Sequence, residues 1–283
     1  MAVRAYAKIN LGLRVLRKRQ DGYHDIETVM HRINLFDDLT FKKAEAVSMT
    51  STDLSLPCDE SNLCIRAVRL LQEHFKVDRG AHIDLKKNIP IGAGLGGGSA
   101  DAAETLRGVC KLWGLKTTTD ELAELALQLG SDVPYFLQNG TAYATGRGEI
   151  LEPLPMTLPY WIVVVFPGVH ISTAWAYNNV ILAEPEDAPS LKDILLNHIG
   201  DLSKLSSLVR NDFQAPVTAG HPKVPRLMES LRSWGAEFVQ LSGSGSSVYG
   251  LFRDKAGPEK FYRRLYAEYT PFITPPHFKI KSR

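Results

Sequence analysis

The sequence predicts an α/β fold in two domains, with the mixed α+β layering in which strands and helices alternate. Three observations lead there. Strand-like and helix-like segments interleave from one end of the 283 residues to the other. A glycine-rich loop at residues 90–100 lies directly between a strand-like and a helix-like segment. The proline-rich stretch Glu152-Pro153-Leu154-Pro155-Met156-Thr157-Leu158-Pro159 separates two halves that each carry both patterns. The expected domains are therefore 1–155 and 156–283.

Residues 4–17 alternate, with Ala5, Ala7, Ile9, Leu11, Leu13 and Val15 on one face and Tyr6, Lys8, Asn10, Gly12 and Arg14 on the other. That pattern predicts a strand with one buried face. Gln20-Asp21-Gly22-Tyr23-His24 is a turn into a returning strand at 26–33, and residues 36–49 carry a further strand or two. Ser61 or Asn62 caps a helix whose apolar stripe is Leu63, Ala67, Leu70, Leu71 and Phe75. Residues 81–85 read as a strand and 102–113 as a helix. Thr118-Thr119-Asp120-Glu121 is a capping box for the next helix, which Gly130 closes. Ser131 then caps another helix with Pro134 in its first turn, and a strand bent at 146–148 spans 141–151.

Beyond the prolines, a buried strand covers 161–166, and helices follow at 173–183, 191–196, 202–208 and 223–234. Strands at 238–241 and 248–252 flank a second glycine loop, Ser242-Gly243-Ser244-Gly245-Ser246-Ser247. A helix at 257–268 and a last strand at 277–281 complete the expected order.

Apolar and charged fractions of 44% and 23% are those of an ordinary globular protein. A net charge of +2 supplies no strong field for nucleic acid or anionic lipid, so neither is an expected partner. Three cysteines, Cys58, Cys64 and Cys110, make no CxxC pair and no even disulfide set, which suits a reducing compartment. The first residues lack the apolar core of a signal peptide, and no apolar run approaches the ~18 residues of a membrane span. The expected location is the cytoplasm. A monomer or weak homodimer is the expected state.

The central loop reads Pro90-Ile91-Gly92-Ala93-Gly94-Leu95-Gly96-Gly97-Gly98-Ser99-Ala100. Strand, glycine loop and helix together present backbone N–H groups and a helix N-terminus to an anion, so the loop reads as a phosphate cradle rather than a linker. It is not a Walker A loop, because it lacks the Gly-Lys-Ser/Thr ending. It is not a dinucleotide fingerprint either, because Gly94-Leu95-Gly96-Gly97-Gly98-Ser99 breaks G-x-G-x-x-G at its last glycine. A lysine for the phosphates must come from elsewhere in the chain.

Other residues carry two readings each. Lys8, with Asn10 on the same face, is an ordinary surface lysine unless something binds there. Asp132, in Gly130-Ser131-Asp132-Val133-Pro134, either complements a helix dipole or serves as a half-buried base for a substrate hydroxyl. Tyr23-His24 is either a turn packed on the sheet or an exposed aromatic beside a hydrogen-bonding ring. Trp175 and Tyr177 read as core residues sooner than as ligand-stacking ones. The other histidines show no metal spacing, so the protein's metal ligands are unknown, and no Gly-x-Ser-x-Gly elbow anchors a hydrolase triad.

Taken in order, Ala7-Lys8-Ile9-Asn10-Leu11, Arg19-Gln20-Asp21-Gly22-Tyr23-His24, the loop at 90–100, Gly130-Ser131-Asp132-Val133-Pro134 and Ser242-Gly243-Ser244-Gly245-Ser246 resemble the GHMP kinase superfamily. The resemblance spans nearly the whole chain and is weakest at 184–230. It implies an N-terminal nucleotide domain like ribosomal protein S5 and a ferredoxin-like C-terminal domain. It implies ATP with Mg²⁺, and within the superfamily it points to phosphorylation of the 2-hydroxyl of 4-(cytidine 5′-diphospho)-2-C-methyl-D-erythritol in the non-mevalonate isoprenoid pathway. Asp132 matches the catalytic base and Lys8 the lysine that stabilises the developing charge. Lys87 and Asn62 match residues on the nucleotide side. Tyr23 and Tyr177 match aromatics that stack on cytosine, His24 the residue that reads its edge, and Asn10 and Thr173 polar contacts to the cytidine diphosphate. Gly97-Gly98 stand where related kinases often carry Ser-Ser, so the metal's protein ligand stays open. Two other functions compete: another small-alcohol kinase of the superfamily, acting on mevalonate or homoserine, and a non-catalytic nucleotide-binding protein.

Overall fold

A computed structural model describes residues 1–182, 189–265 and 269–280, without the side chains of 261–265. The chain packs as two compact units, neither of them a continuous stretch. Unit 1 takes Met1–Ala7, Leu35–Ile91 and Gly96–Asn139; unit 2 takes Lys8–Asn34, Gly92–Leu95 and the chain from Gly140 onward. The packing thus divides elsewhere than the expected 155/156 break. The reason lies in two long strands, β1 (Ala2–Lys18) and β2 (His24–Ala44), each of which gives residues to both units.

In unit 1 the second half of β2 pairs antiparallel with β4 (Gly80–Lys86), and β3 (Ser48–Ser51) pairs parallel with β4. Four helices belong to this unit: α1 (Leu63–Phe75), α2 (Gly97–Trp113), α3 (Thr119–Leu129) and α4 (Val133–Phe136). The α1 stripe buries Ile65, Ala67, Val68 and Leu71, and α2 buries Ala102, Leu106, Val109 and Trp113. Thr118 caps α3 by accepting from the Glu121 N–H, as the sequence predicts. Two cap expectations fail. Gly130 has an extended φ of 165°, so α3 ends without a left-handed closure. The residue at the cap of α4 is Asp132 rather than Ser131, and its side chain makes no cap hydrogen bond.

In unit 2 the first half of β2 pairs antiparallel with β5 (Thr141–Thr145), and β5 pairs with β6 (Ile150–Leu154) across the expected bend. A second sheet is antiparallel throughout, in the order β10 (Pro271–Thr274), β7 (Trp161–Val165), β9 (Val248–Phe252), β8 (Phe238–Leu241). Helices α5 (Thr173–Asn179), α6 (Leu191–His198), α7 (Leu202–Leu208), α8 (Gln214–Gly220), α9 (Lys223–Ser233) and α10 (Ala256–Leu265) complete the unit. Val163, Val165, Phe213, Val217, Leu227 and Leu231 centre its core. The last strand lies at Pro271–Thr274 rather than at 277–281, because residues 271–274 pair in register with β7. Residues 281–283, 266–268 and 183, on which expected elements ended, lie outside the described residues. Helix α8 escapes the sequence reading because Pro216 and Gly220 look like breakers, yet Pro216 sits in the first turn, where no N–H is needed.

β1 also departs from its expected one-sided pattern. Lys8, Asn10 and Arg14 are 4%, 1% and 7% exposed, so the polar face is buried as well. A polar face can be buried only if its groups are paired. Glu27 on β2 does much of this pairing. Its carboxylate accepts from Arg14 NH1 at 3.2 Å, Tyr143 OH at 2.9 Å and the N–H of Leu191 at 2.7 Å. It thereby ties the start of α6 to three strands. Glu27→Ala should cost about 3–5 kcal/mol by stranding the Arg14 charge, the usual cost of removing one partner from a buried pair. A urea melt would check this, and a loss under about 1 kcal/mol would mean that solvent reaches Arg14.

Candidate active site

Four residues of the glycine-rich loop at 90–100, Gly92–Leu95, belong to unit 2, and three successive carbonyls there are committed to protein donors. The Ala93 carbonyl accepts from the Ser247 N–H at 3.1 Å and the Leu95 carbonyl from the Lys8 N–H at 3.0 Å. Between them, the Gly94 carbonyl accepts from Ser242 Oγ at 3.0 Å. A carbonyl facing a phosphate would repel it, so this is the orientation an anion cradle requires. Gly94 has φ of 77°, and a Cβ there would come within 2.1 Å of the Ser242 carbonyl oxygen. Only glycine fits that close, left-handed position. The second glycine loop, which the sequence leaves without a role, therefore braces the first.

Lys8 lies next to this brace. Its Nζ donates to Asn10 Oδ1 at 2.5 Å, Asn10 Nδ2 donates to Thr28 Oγ1 at 2.9 Å, and Thr28 Oγ1 donates to the Gly12 carbonyl at 2.6 Å. This chain fixes which way the Asn10 amide points and turns its oxygen to the ammonium. Tyr249 OH donates to the Asn10 carbonyl at 2.9 Å. Lys8 is thus not the ordinary surface lysine of the simpler reading. Thr173, at the start of α5, has its hydroxyl 3.3 Å from Ser244 Oγ in the second loop.

A separate aromatic cluster forms in the same unit. The turn at 19–23 is held by the Tyr23 carbonyl accepting from the Arg19 N–H at 2.8 Å and by Asp21 Oδ1 accepting from the Tyr23 N–H at 3.1 Å. It leaves Tyr23 54% exposed, with the Arg147 guanidinium 4.7 Å from its ring centre. His24 stacks on Tyr177 at 4.8 Å and 19°, and Tyr177 meets Phe213 edge-on at 4.9 Å. Burial, with the Lys18 charge adding to it, lowers the His24 pKa below its usual value. The neutral ring this favours can donate from one nitrogen and accept at the other.

Unit 1 holds the other candidates. Asn62 caps α1: its Oδ1 accepts from the Cys64 N–H at 2.8 Å and its Nδ2 donates to the Pro57 carbonyl at 2.7 Å. Asp132 is half-buried at the head of the single-turn α4, as expected, and leaves its helix uncapped. Lys87 is buried, and its Nζ donates to Asp101 Oδ2 at 2.8 Å and to Asp37 Oδ2. Asp37 Oδ1 in turn accepts from the N–H groups of Asn88 and Ile89 at 2.5 and 2.8 Å. Sequence reasoning missed Asp37 and Asp101. Asp101 directly follows the loop and was legible as a neighbour, whereas Asp37, fifty residues from Lys87, carries no local signal.

The family description "GHMP kinases N terminal domain" matches residues 62–140, and "GHMP kinases C terminal" matches residues 190–270. The chain belongs to the GHMP kinase family. It is similar to a protein of Prosthecochloris aestuarii named 4-diphosphocytidyl-2-C-methyl-D-erythritol kinase, with 47% identity across 99% of each chain. A crystal structure of 4-(cytidine 5′-diphospho)-2C-methyl-D-erythritol kinase superposes with a TM-score of 0.81 at 33% identity, over 97% of this chain and 98% of that one. The homoserine kinase of Cytophaga hutchinsonii, 17% identical, superposes at 0.74 over 97% of this chain and 95% of that one, which speaks for the fold alone.

Burial pushes the Asp101 carboxyl up to about 8, and the charge of Asp37 adds to this against the pull of Lys87. A carboxyl whose folded pKa is raised stabilises the fold fully below its unfolded value, near 3.8, and loses that contribution as pH rises through about 8. Asp101→Asn should therefore flatten the fall of Tm measured between about pH 5 and pH 9. An unchanged slope would show that Asp101 is ionised throughout that range.

Proposed function

We propose that this chain transfers the γ-phosphoryl group of ATP to the 2-hydroxyl of 4-(cytidine 5′-diphospho)-2-C-methyl-D-erythritol. One observation carries the reading: 47% identity, end to end, to a kinase named for that substrate. The site chemistry supports it. The braced loop at 90–100 suits a polyphosphate, and Tyr23, His24 and Tyr177 supply flat rings and a hydrogen-bonding edge for a base. Asn10 and Thr173 are polar contacts to the cytidine diphosphate substrate.

Phosphoryl transfer asks little covalent chemistry of a protein; positioning and charge do most of it. Asp132 takes the proton of the acceptor hydroxyl. Its half-buried place at the head of α4 suits that role. Lys8 supplies fixed positive charge for the developing alkoxide, its ammonium oriented by Asn10. Among the described residues no group of three or more His, Cys, Asp or Glu could hold a metal. A Mg²⁺ would therefore enter with the nucleotide rather than sit in a cage of protein ligands. Ser99 in the first turn of α2 is the loop residue with a hydroxyl to offer it. The ion would neutralise phosphate charge.

A mevalonate or homoserine kinase shares the fold but has no base to stack, and a mere binder needs no buried lysine or general base. An ADP-release assay with the cytidylyl substrate against mevalonate and homoserine separates these readings. ADP release with either of the latter in preference would overturn the proposal.

Asp132→Asn should lower kcat by at least about a hundredfold, the scale of a lost general base, while ATP still binds. Near-wild-type turnover would remove Asp132 from that role. For Tyr23→Ala, KM for the cytidylyl substrate should rise by about tenfold while KM for ATP stays within about twofold, the scale of a lost stacking contact. Equal changes in the two constants would remove Tyr23 from the base site.

A further inference from the structure

We infer that Asp37, Lys87 and Asp101 form a clasp across the base of the phosphate loop, and that Lys87 serves ATP by positioning this loop rather than by touching the nucleotide. All three side chains belong to unit 1. Lys87 and the two N–H groups that Asp37 accepts, those of Asn88 and Ile89, are the last residues before the loop. Asp101 is the first residue after it, on the opening turns of α2. The Lys87 ammonium joins the two ends: it lies between Asp37, whose side chain is 0% exposed, and Asp101, whose side chain is 3% exposed.

Gly97 makes room for this junction. A Cβ at Gly97 would lie 3.0 Å from Lys87 Nζ and 2.9 Å from Ile89 Cγ2. The ammonium therefore sits against the first turn of α2, whose N–H groups the anion needs.

Stability is a poor explanation for the triad. Burying charges costs desolvation that their attraction seldom more than balances, and apolar side chains of similar volume often do as well. Asp101 Oδ1 also has no hydrogen-bond partner among the described residues. What apolar side chains could not do is set the register of two chain ends directionally. The ammonium spends two of its donors on the carboxyl oxygens of Asp37 and Asp101, and the Asp37 carboxyl holds two consecutive backbone amides.

The clasp rests on the reading of residues 90–100 as the ATP loop, and one steady-state experiment separates the two. Wild type, Lys87→Met, Asp37→Asn and the double variant are assayed for kcat and for KM toward ATP and toward the cytidylyl substrate. Each single variant is expected to raise KM for ATP by about tenfold and leave KM for the acceptor within about twofold, with the double variant no worse than the worse single one. If Lys87→Met raises KM for ATP while Asp37→Asn leaves it unchanged or lowers it, Lys87 is a direct nucleotide ligand and the clasp is wrong. Equal movement of both KM values means a general structural role and overturns it too. Should Asp37→Asn not fold, Asp101→Leu replaces it under the same criteria, since it removes the acceptor that Lys87 uses after the loop whatever the protonation of that carboxyl. Wild-type turnover that does not saturate with ATP sinks the ATP-loop reading itself, whereas saturable wild type with unmoved variants sinks only the clasp.

Discussion

A buried ammonium must be paired and oriented, and this constraint governs the surroundings of Lys8. An exposed lysine would be screened and mobile; at 4% exposure it is held by Asn10 Oδ1 at 2.5 Å. Asn10 can serve only if its amide is turned the right way, and Thr28 turns it. Thr28 in turn spends its proton on the Gly12 carbonyl, and Tyr249 fixes the carbonyl of Asn10. Each member of the chain is fixed by the next, so the positive charge stands at a defined point before any ligand arrives. Such preorganisation is the larger part of electrostatic catalysis, because no reorganisation is then needed during the reaction.

The same backbone links this charge to the glycine-rich loop at 90–100. The N–H of Lys8 holds the Leu95 carbonyl, while Ser242 and Ser247 hold its two predecessors. A glycine loop is flexible by nature, and an anion site made of one would spend binding energy on ordering it. Here the ordering is done by strand β1 and the second glycine loop. The serines of that loop thereby acquire a purpose their sequence motif does not announce. Nothing in Ser-Gly-Ser-Gly-Ser-Ser indicates that two of its members donate to carbonyls some 150 residues away in the chain.

Legibility followed the range of the interactions. Elements with strong local periods or caps stood close to where the sequence put them: α7, β8 and β9 match to the residue, and Asn62 and Thr118 cap their helices. Errors gathered where a local signal was ambiguous. Residues 214–220 carry no expected helix, since Pro216 and Gly220 are poor helix formers, and Gly130 suggests a left-handed closure that the chain does not make. The last strand was placed some residues late, because its position is decided by register against β7. For the site, the residue types were legible and their settings were not. Lys8 reads first as an ordinary surface lysine and Tyr23 as a turn residue packed on the sheet, and only the burial of the one and the exposure of the other separate these from the alternative readings.

By itself the sequence determined the α/β order and a glycine-rich loop at 90–100 with no lysine within it, since glycine, proline and hydrophobic period act over a few residues. The tertiary structure alone decided which groups complete that loop. Lys87 finds Asp37 and Asp101, Gly94 meets Ser242, and Lys8 is buried against Asn10 and Thr28. Partners so far apart in the chain leave no periodic or local trace. Their selection rests on the cost of burying an unpaired charge or carbonyl, which exists only once the chain has folded.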